Sequence, residues 1–180
     1  VNDILIELSD FVRPLISRKG VRLVLNLDDS DPEAICDATL LRQALLNLLR
    51  NAVDATEEGE GVIQMSSRAL RSNRSPAPEA WAAGADLTEE PPLSPLDGVE
   101  VSVEDNGCGI PPDAIERIYE PFFTTKRDGT GLGLALVQRA VHEHSGSIRC
   151  ASIEGKGTSL RMTIPCAPPP SAPVRPAPTG

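Results

Sequence analysis

The sequence predicts an α/β domain. Three segments carry apolar residues at helical spacing, and five shorter ones alternate between apolar and polar residues. Helical and strand segments are interleaved, and the last two strands read as a hairpin around Gly155-Lys156-Gly157.

In order, Val1–Arg18 sets Ile4, Leu5, Leu8, Phe11, Val12, Leu15 and Ile16 on one side of a helix. Pro14 lacks a backbone donor and is expected to bend or divide this helix, and Gly20 stops it. Val21–Leu27 alternates like a half-buried strand, Asp28–Pro32 is a turn, and Ala34–Cys36 is expected as a second short strand. Asp37 or Thr39 caps the next helix, which runs to about Thr56. Its Leu40, Leu41, Ala44, Leu45, Leu48, Leu49, Ala52 and Val53 form one apolar stripe. Gly61–Leu70 is a strand with Ile63, Met65 and Ser67 on one face. Residues 71–97 are rich in Pro, Ala and Ser and read as a flexible insertion in a hairpin, with Trp81 a local anchor. Val99–Val103 is the strand that delivers Asp105.

Pro111-Pro112-Asp113 opens a short helix to about Ile118, proline being tolerated in a first turn. Tyr119–Thr130 is a loop whose adjacent Phe122 and Phe123 are expected in the core, a lid over a ligand or partner being the alternative. Gly131–Glu143 is a helix, and Ser147–Ile153 and Thr158–Ile164 are the closing strands. Residues 166–180 form a proline-rich tail or linker outside the fold.

At 180 residues, 40% hydrophobic and 24% charged, the chain can bury one core but hardly two. No apolar run approaches the roughly 20 residues of a membrane span, and no secretory signal opens the chain. A cytoplasmic domain is expected, cut from a longer protein that could itself be membrane-anchored. A formal charge of −9 and 3% aromatic content argue against nucleic-acid and anionic-lipid binding. Cys36, Cys108, Cys150 and Cys166 show no Cys-x-x-Cys spacing, and His142 and His144 complete no zinc pattern. The cysteines read as reduced thiols, with Cys108, between two glycines, the candidate reactive one.

Two stretches carry chemistry. The helix beginning near Asp37 shows Gln43, Asn47, Arg50, Asn51 and Asp54 on its polar side. Asparagine is a poor interior helix residue because its amide competes for backbone hydrogen bonds, so two of them one turn apart need either solvent or a ligand. Amide oxygens suit a Mg²⁺ already shared with a triphosphate, and Arg50 suits phosphate. The second stretch opens with Asp105-Asn106-Gly107-Cys108-Gly109, a carboxylate on a backbone that a flat ring can approach. It passes Lys126 and closes with Gly129-Thr130-Gly131-Leu132-Gly133-Leu134, where free N–H groups at a helix start can cradle phosphate. Each piece alone is weak; their order suggests a nucleotide pocket.

Together these residues resemble the ATP-binding catalytic domain of sensor histidine kinases, in the superfamily shared with DNA gyrase, the mismatch-repair ATPases and the ninety-kilodalton heat-shock chaperones. The match runs over about Val21–Pro165. Gln43-x-x-x-Asn47-Leu-Leu-Arg-Asn51-Ala-x-Asp54-Ala is similar to the family's asparagine box, Asp105-x-Gly107-x-Gly109 to its first glycine box and Glu120–Lys126 to its phenylalanine box. Gly129–Leu134 resembles the second glycine box, and Gly155-x-Gly157-Thr158 the last turn. The short Lys126–Gly129 lid resembles the nitrogen-regulator type.

The resemblance implies a two-layer sandwich, a mixed and mostly antiparallel sheet of about five strands under three helices. It implies that Asp105 accepts from the adenine amino group and that Asn51, with Asn47, coordinates Mg²⁺. Arg50 and Lys126 would offset phosphate charge, while Gly131 and Gly133 would expose backbone to the phosphates. Asp54, Gly107, Gly109, Ile110, Phe123, Thr124, Gly129, Thr130, Leu132, Leu134 and Thr158 complete the implied ATP-binding set. Residues 1–20 look like the end of a dimerisation hairpin and connector, without the phosphoacceptor histidine. The implied partners are that upstream histidine-containing domain and a response regulator, with the fragment itself a monomer. Two other activities stay open: an ATPase, and an anti-sigma-type serine kinase or regulatory nucleotide-binding module. ATPases of the superfamily place a glutamate one turn before the metal-binding asparagine as base for water. Here that position is Asn47, which cannot take a proton.

Overall fold

The computed structural model describes residues 1–71, 96–126 and 129–166. Its elements are α1 (Asn2–Lys19), β1 (Arg22–Asn26), α2 (Ala38–Ala55), β2 (Val62–Arg71), β3 (Leu96–Asp105), α3 (Pro112–Ile115), α4 (Gly133–Glu143), β4 (Ser147–Ile153) and β5 (Gly157–Pro165). The strands form one sheet in the order β1-β2-β3-β5-β4, with β1 parallel to β2 and the other neighbours antiparallel. This is the expected mixed, mostly antiparallel sheet in a two-layer sandwich.

Strand alternation decides which face meets the helices. Ile63 and Met65 of β2, Val99, Val101 and Val103 of β3, and Leu160, Met162 and Ile164 of β5 are buried and share a core with the helices. Opposite them, Arg68 pairs with Glu100 at 2.8 Å and Arg161 with Glu104 at 3.0 Å on the wet face. The α2 stripe fills the centre of the core, with Leu41, Leu45, Leu48 and Leu49 almost wholly enclosed.

α1 runs unbroken through Pro14 and ends at Gly20, whose φ of 66° is left-handed. The expected break is absent because Pro14 lies on the exposed side, where water can satisfy the carbonyl that loses its donor. Leu5, Leu8, Val12 and Ile16 enter the common core, while Phe11 (70% exposed) and Leu15 stay outside it. At its start, Asn2 donates to Asp28 O at 2.9 Å and accepts from the Ser67 hydroxyl at 2.6 Å, which pins α1 to the sheet. Packing is thus continuous across the boundary expected at residue 20.

Ala34–Cys36 forms no strand. Pro32 cannot donate to a ladder, and the segment is held otherwise: Glu33 O accepts the Cys166 thiol at 2.9 Å and Pro32 O the Val1 ammonium at 3.3 Å. α3 stops at Ile115 rather than Ile118, the chain continuing as turns. The strands flanking the expected 71–97 insertion reach in to Arg71 and Leu96, which pair after a register shift between Leu70 and Arg71. Residues 72–95 with Trp81, and the tail from 167, lie outside the described residues.

Asp37 caps α2, its Oδ1 accepting from Thr39 N at 2.7 Å and Leu40 N at 3.2 Å. Those backbone bonds, first to Leu40 and then to Thr39, hold its pKa below the ordinary 3.8. A depressed carboxylate pKa means stability that is present above the ordinary value and lost as pH falls through the depressed one. Asp37→Ala should therefore lower the melting temperature at pH 7, with the deficit shrinking below about pH 4 in a thermal-melt series across pH.

Candidate functional site

The polar side of α2 and the loops after β3 and α3 meet at one end of the sheet. Lys126 Nζ donates to Asp54 Oδ2 at 2.8 Å and to Asn51 Oδ1 at 3.3 Å. Both partners of the ion pair are half exposed, so it is worth under about 1 kcal/mol. A phosphate oxygen can replace it at little expense. Gly133, the first residue of α4, places the start of that helix beside Asn51: a Cβ there would meet only Asn51 Nδ2, at 3.8 Å.

At the other end of the site, β3 delivers Asp105 half-buried. One carboxylate oxygen accepts from Gly107 N at 2.9 Å. Burial pushes its pKa up, against the opposing pull of the Gly107 and Thr158 amides and of Lys126. A carboxylate kept partly dry at a strand end is an acceptor in want of a donor.

The glycines of the first box have a packing role. A Cβ on Gly107 would lie 2.4 Å from Ala55 O, and one on Gly109 2.2 Å from Ile153 O. Their loop is strapped on both sides, Cys108 N donating to Ala55 O at 3.0 Å and Gly155 N to Cys108 O at 2.8 Å. Ile110 N donates to the Ser152 hydroxyl at 2.8 Å, which also bonds Thr158 Oγ1 at 2.9 Å. Gly157, with φ 124°, would drive a Cβ to 2.0 Å from Asp105 O.

The phenylalanine loop overturns one expectation. Phe122 is 76% exposed and its φ is 69°, outside the core altogether. Gly131 is the reason: its carbonyl accepts Phe122 N at 2.9 Å, and its own Cα, at φ 68°, sits against the Phe122 backbone where no Cβ fits. Backbone contact with the glycine therefore sets the conformation, and the ring is left in solvent. Phe123 is half-buried under the Arg117 guanidinium, 4.3 Å from the ring centre. Thr124 Oγ1 accepts from Lys126 N at 3.1 Å, and the half-buried Leu134 packs on the core. Thr130 Oγ1 lies 3.5 Å from Leu132 N, just ahead of α4, while Gly129 N reaches Lys126 O at 3.3 Å.

Two expected residues stand apart. Arg50 is exposed and makes no hydrogen bond or ion pair among the described residues. Asn47 lines a groove of about 200 Å³ between α2 and α4, with Gln43, Leu136, Arg139 and Glu143, and its buried Nδ2 has no partner among the described residues. Cys108 is exposed. Four residues that hold the site together escaped the sequence reading. Asn106 clamps β2, accepting from Val62 N at 2.7 Å and donating to Glu60 O at 3.1 Å. Ser152 is the second, and Lys19 is described below. His144 donates from Nδ1 to Ala140 O and accepts Asp37 N at Nε2, 2.8 Å away, joining the end of α4 to the start of α2.

The donor set bears on a metal. Among the described residues no three His, Cys, Asp or Glu side chains gather to hold one. An amide oxygen alone is a weak ligand; that of Asn51, beside Lys126, suits an ion that arrives already bound to phosphates, while Asn47 faces the α2–α4 groove.

Residues 36–168 match the model of the histidine kinase-, DNA gyrase B- and HSP90-like ATPases. The chain belongs to that family. Among its relatives, the Escherichia coli O157:H7 sensor histidine kinase ZraS is 38% identical over 147 residues, covering 82% of this chain but 26% of ZraS. The nucleotide-free catalytic domain of histidine kinase ThkA superposes with a TM-score of 0.71 at 28% identity, over 92% of both chains. A structure of ThkA in complex with the response regulator TrrA matches with a TM-score of 0.67 at 26% identity, over 93% of this chain and 40% of that one. This ATPase-family chain is a histidine kinase-type ATP-binding catalytic domain, and it spans about a quarter of the length of ZraS.

Proposed function

We propose that the domain binds Mg-ATP with its base against Asp105 and its phosphates between α2, Lys126 and the start of α4, and donates the γ-phosphoryl to a histidine on a separate dimerisation domain. The observation that carries this reading is the pairing of a half-dry acceptor at one end of the site with a loosely held lysine at the other. Asp105 accepts from an adenine amino group; guanine presents a carbonyl there, so GTP is refused. Lys126 exchanges Asp54 and Asn51 for phosphate oxygens, with Arg50 free to join it. Asn51 and Asn47 would hold Mg²⁺, which neutralises phosphate charge when bound. Ile110, Phe123, Thr124, Leu132, Leu134 and Thr158 would border the nucleotide.

In the transfer the bond from the γ-phosphorus to the bridging oxygen breaks and a phosphorus–nitrogen bond to the imidazole forms. ADP leaves, and the imidazole loses its N–H proton. The domain's part is positioning and charge neutralisation rather than covalent catalysis. Asn47 cannot accept a proton from water, which favours transfer over hydrolysis. We further propose that α1 belongs to the same folding unit as the rest, since its apolar face completes the core, and that the isolated chain is monomeric. The ThkA–TrrA complex supports a response regulator as downstream partner, and the setting we propose is cytoplasmic.

Calorimetry tests the reading. ATP with Mg²⁺ should bind and GTP should not, and Asn51→Ala should lose about ten-fold of the Mg²⁺-dependent affinity. Adding a histidine hairpin should then yield phosphohistidine. Steady phosphate release that vanishes in Asn51→Ala would point instead to an ATPase.

A further inference from the structure

Lys19 lies outside every motif above. It ends α1, yet its ammonium reaches the last turn of α2, donating to Val53 O and, at 3.5 Å, to Asp54 O. Its own carbonyl accepts Gly59 N at 2.9 Å, so the residue grips both the helix end and the loop that follows it.

α2 needs such a donor. It carries no basic residue in its last turn and ends at Thr56 in extended backbone, without the left-handed cap that would satisfy its final carbonyls. Its last turn also carries the Asp54 carboxylate, which adds negative charge where the helix dipole is already negative. Those final carbonyls are met partly by the cap residue and partly from elsewhere: Ala52 O by Thr56 N, Val53 O by the Thr56 hydroxyl and Lys19, Asp54 O by Lys19, and Ala55 O by Cys108 N. Lys19 thus supplies the cation on the backbone side of the turn, while Lys126 meets the Asn51 and Asp54 side chains on the other.

We infer that Lys19 is a positioning residue for the phosphate end of the nucleotide site, fixing the turn of α2 that presents Asn51 and Asp54 to Lys126. The inference rests on the nucleotide reading above. Asp105 stands on β3, at the other end of the site, and the loop of its partner Gly107 is tied to α2 through Ala55 O, a last-turn carbonyl that Lys19 does not touch. Loss of Lys19 should therefore be felt by phosphates and not by the base.

The test compares the full chain with Lys19→Met, which keeps the stem but not the charge, and Lys19→Arg, which keeps the charge. Mg-ATP is followed by calorimetry and adenosine by amide-shift titration. Lys19→Met should bind Mg-ATP about ten-fold more weakly, with adenosine changed less than about two-fold and Lys19→Arg close to the parent. Equal Mg-ATP affinity in the parent and Lys19→Met would overturn the inference alone. So would a matching loss for adenosine, which would mark general loosening of the fold. Should Lys19→Met not fold, Lys19→Gln, a neutral donor, takes its place with the same two readouts. A parent chain that binds no nucleotide would overturn the nucleotide reading itself.

Discussion

Asp105→Asn should cost the domain about 100-fold in ATP affinity while leaving the melting temperature of the nucleotide-free chain unchanged or higher. The affinity loss follows from the acceptor. A hydrogen bond to a charged group is worth about 1.5–3 kcal/mol, and an Asn amide that keeps its oxygen on Gly107 N turns an N–H donor toward the adenine amino group, itself a donor. The stability gain follows from burial, which disfavours the charged form and raises the Asp105 pKa above the ordinary 3.8. For a raised carboxylate the sign is the reverse of Asp37: the folded state binds its proton more tightly, so stability is greatest below the ordinary value and falls as pH rises through the raised one. The neutral variant escapes that fall. The gap between the two melting curves should open above about pH 4, and calorimetry on the same samples should show ATP binding lost. A variant that melts lower at pH 7 than the parent would show that Asp105 is structural first.

Gly107→Ala and Gly133→Ala should separate two duties that the glycine boxes combine. The Cβ at Gly107 would meet Ala55 O and C at 2.4 and 2.5 Å, and both neighbours are backbone, so a helix end or a loop must move. Overpacking of this kind costs about 3 kcal/mol, which in a chain of this size lowers the melting temperature by roughly 6–12 °C. At Gly133 the added methyl finds room. It also replaces glycine by a better helix former in the first turn of α4, so the melting temperature should hold or rise. If Gly133 serves phosphate approach, its variant should nonetheless lose about ten-fold in ATP affinity, as backbone N–H groups are screened. Equal melting losses in both variants would assign Gly133 to packing as well.

The local patterns carried most of what could be read from the chain. α2 was legible because an unbroken Leu and Ala stripe demands a helix, and a helix then fixes which side Asn47, Asn51 and Asp54 occupy. The strands were legible from alternation, as in Ile63, Met65 and Ser67 against Val62, Gln64 and Ser66. What failed were questions that neighbours in space decide. Ala34–Cys36 alternates in exposure like a strand but has no partner to pair with. Pro14 looks like a breaker, yet its turn faces water. Phe122 reads as core by composition, but Gly131 sets its backbone and leaves the ring outside. Asn106, Ser152, Lys19 and His144 were invisible for a related reason. Each acts on partners brought near by folding, up to 107 positions away for His144 and Asp37, and even the place of Asn106 beside Asp105 does not show which backbone groups it clamps.

The sheet order has a consequence for how the site is assembled. β3 lies between β2 and β5, paired on both sides along its length, and Asp105 is its last residue. Lys126 sits on a loop whose hold on α2, among the described residues, is two exposed side-chain bonds. One half of the site is thus as durable as the fold itself, and the other is only as durable as a surface contact. On the proposed reading, selectivity for the base is built in before any nucleotide arrives. The entropy of ordering falls on the phosphate end, where a triphosphate brings enough charge to offset it and a bare nucleoside does not.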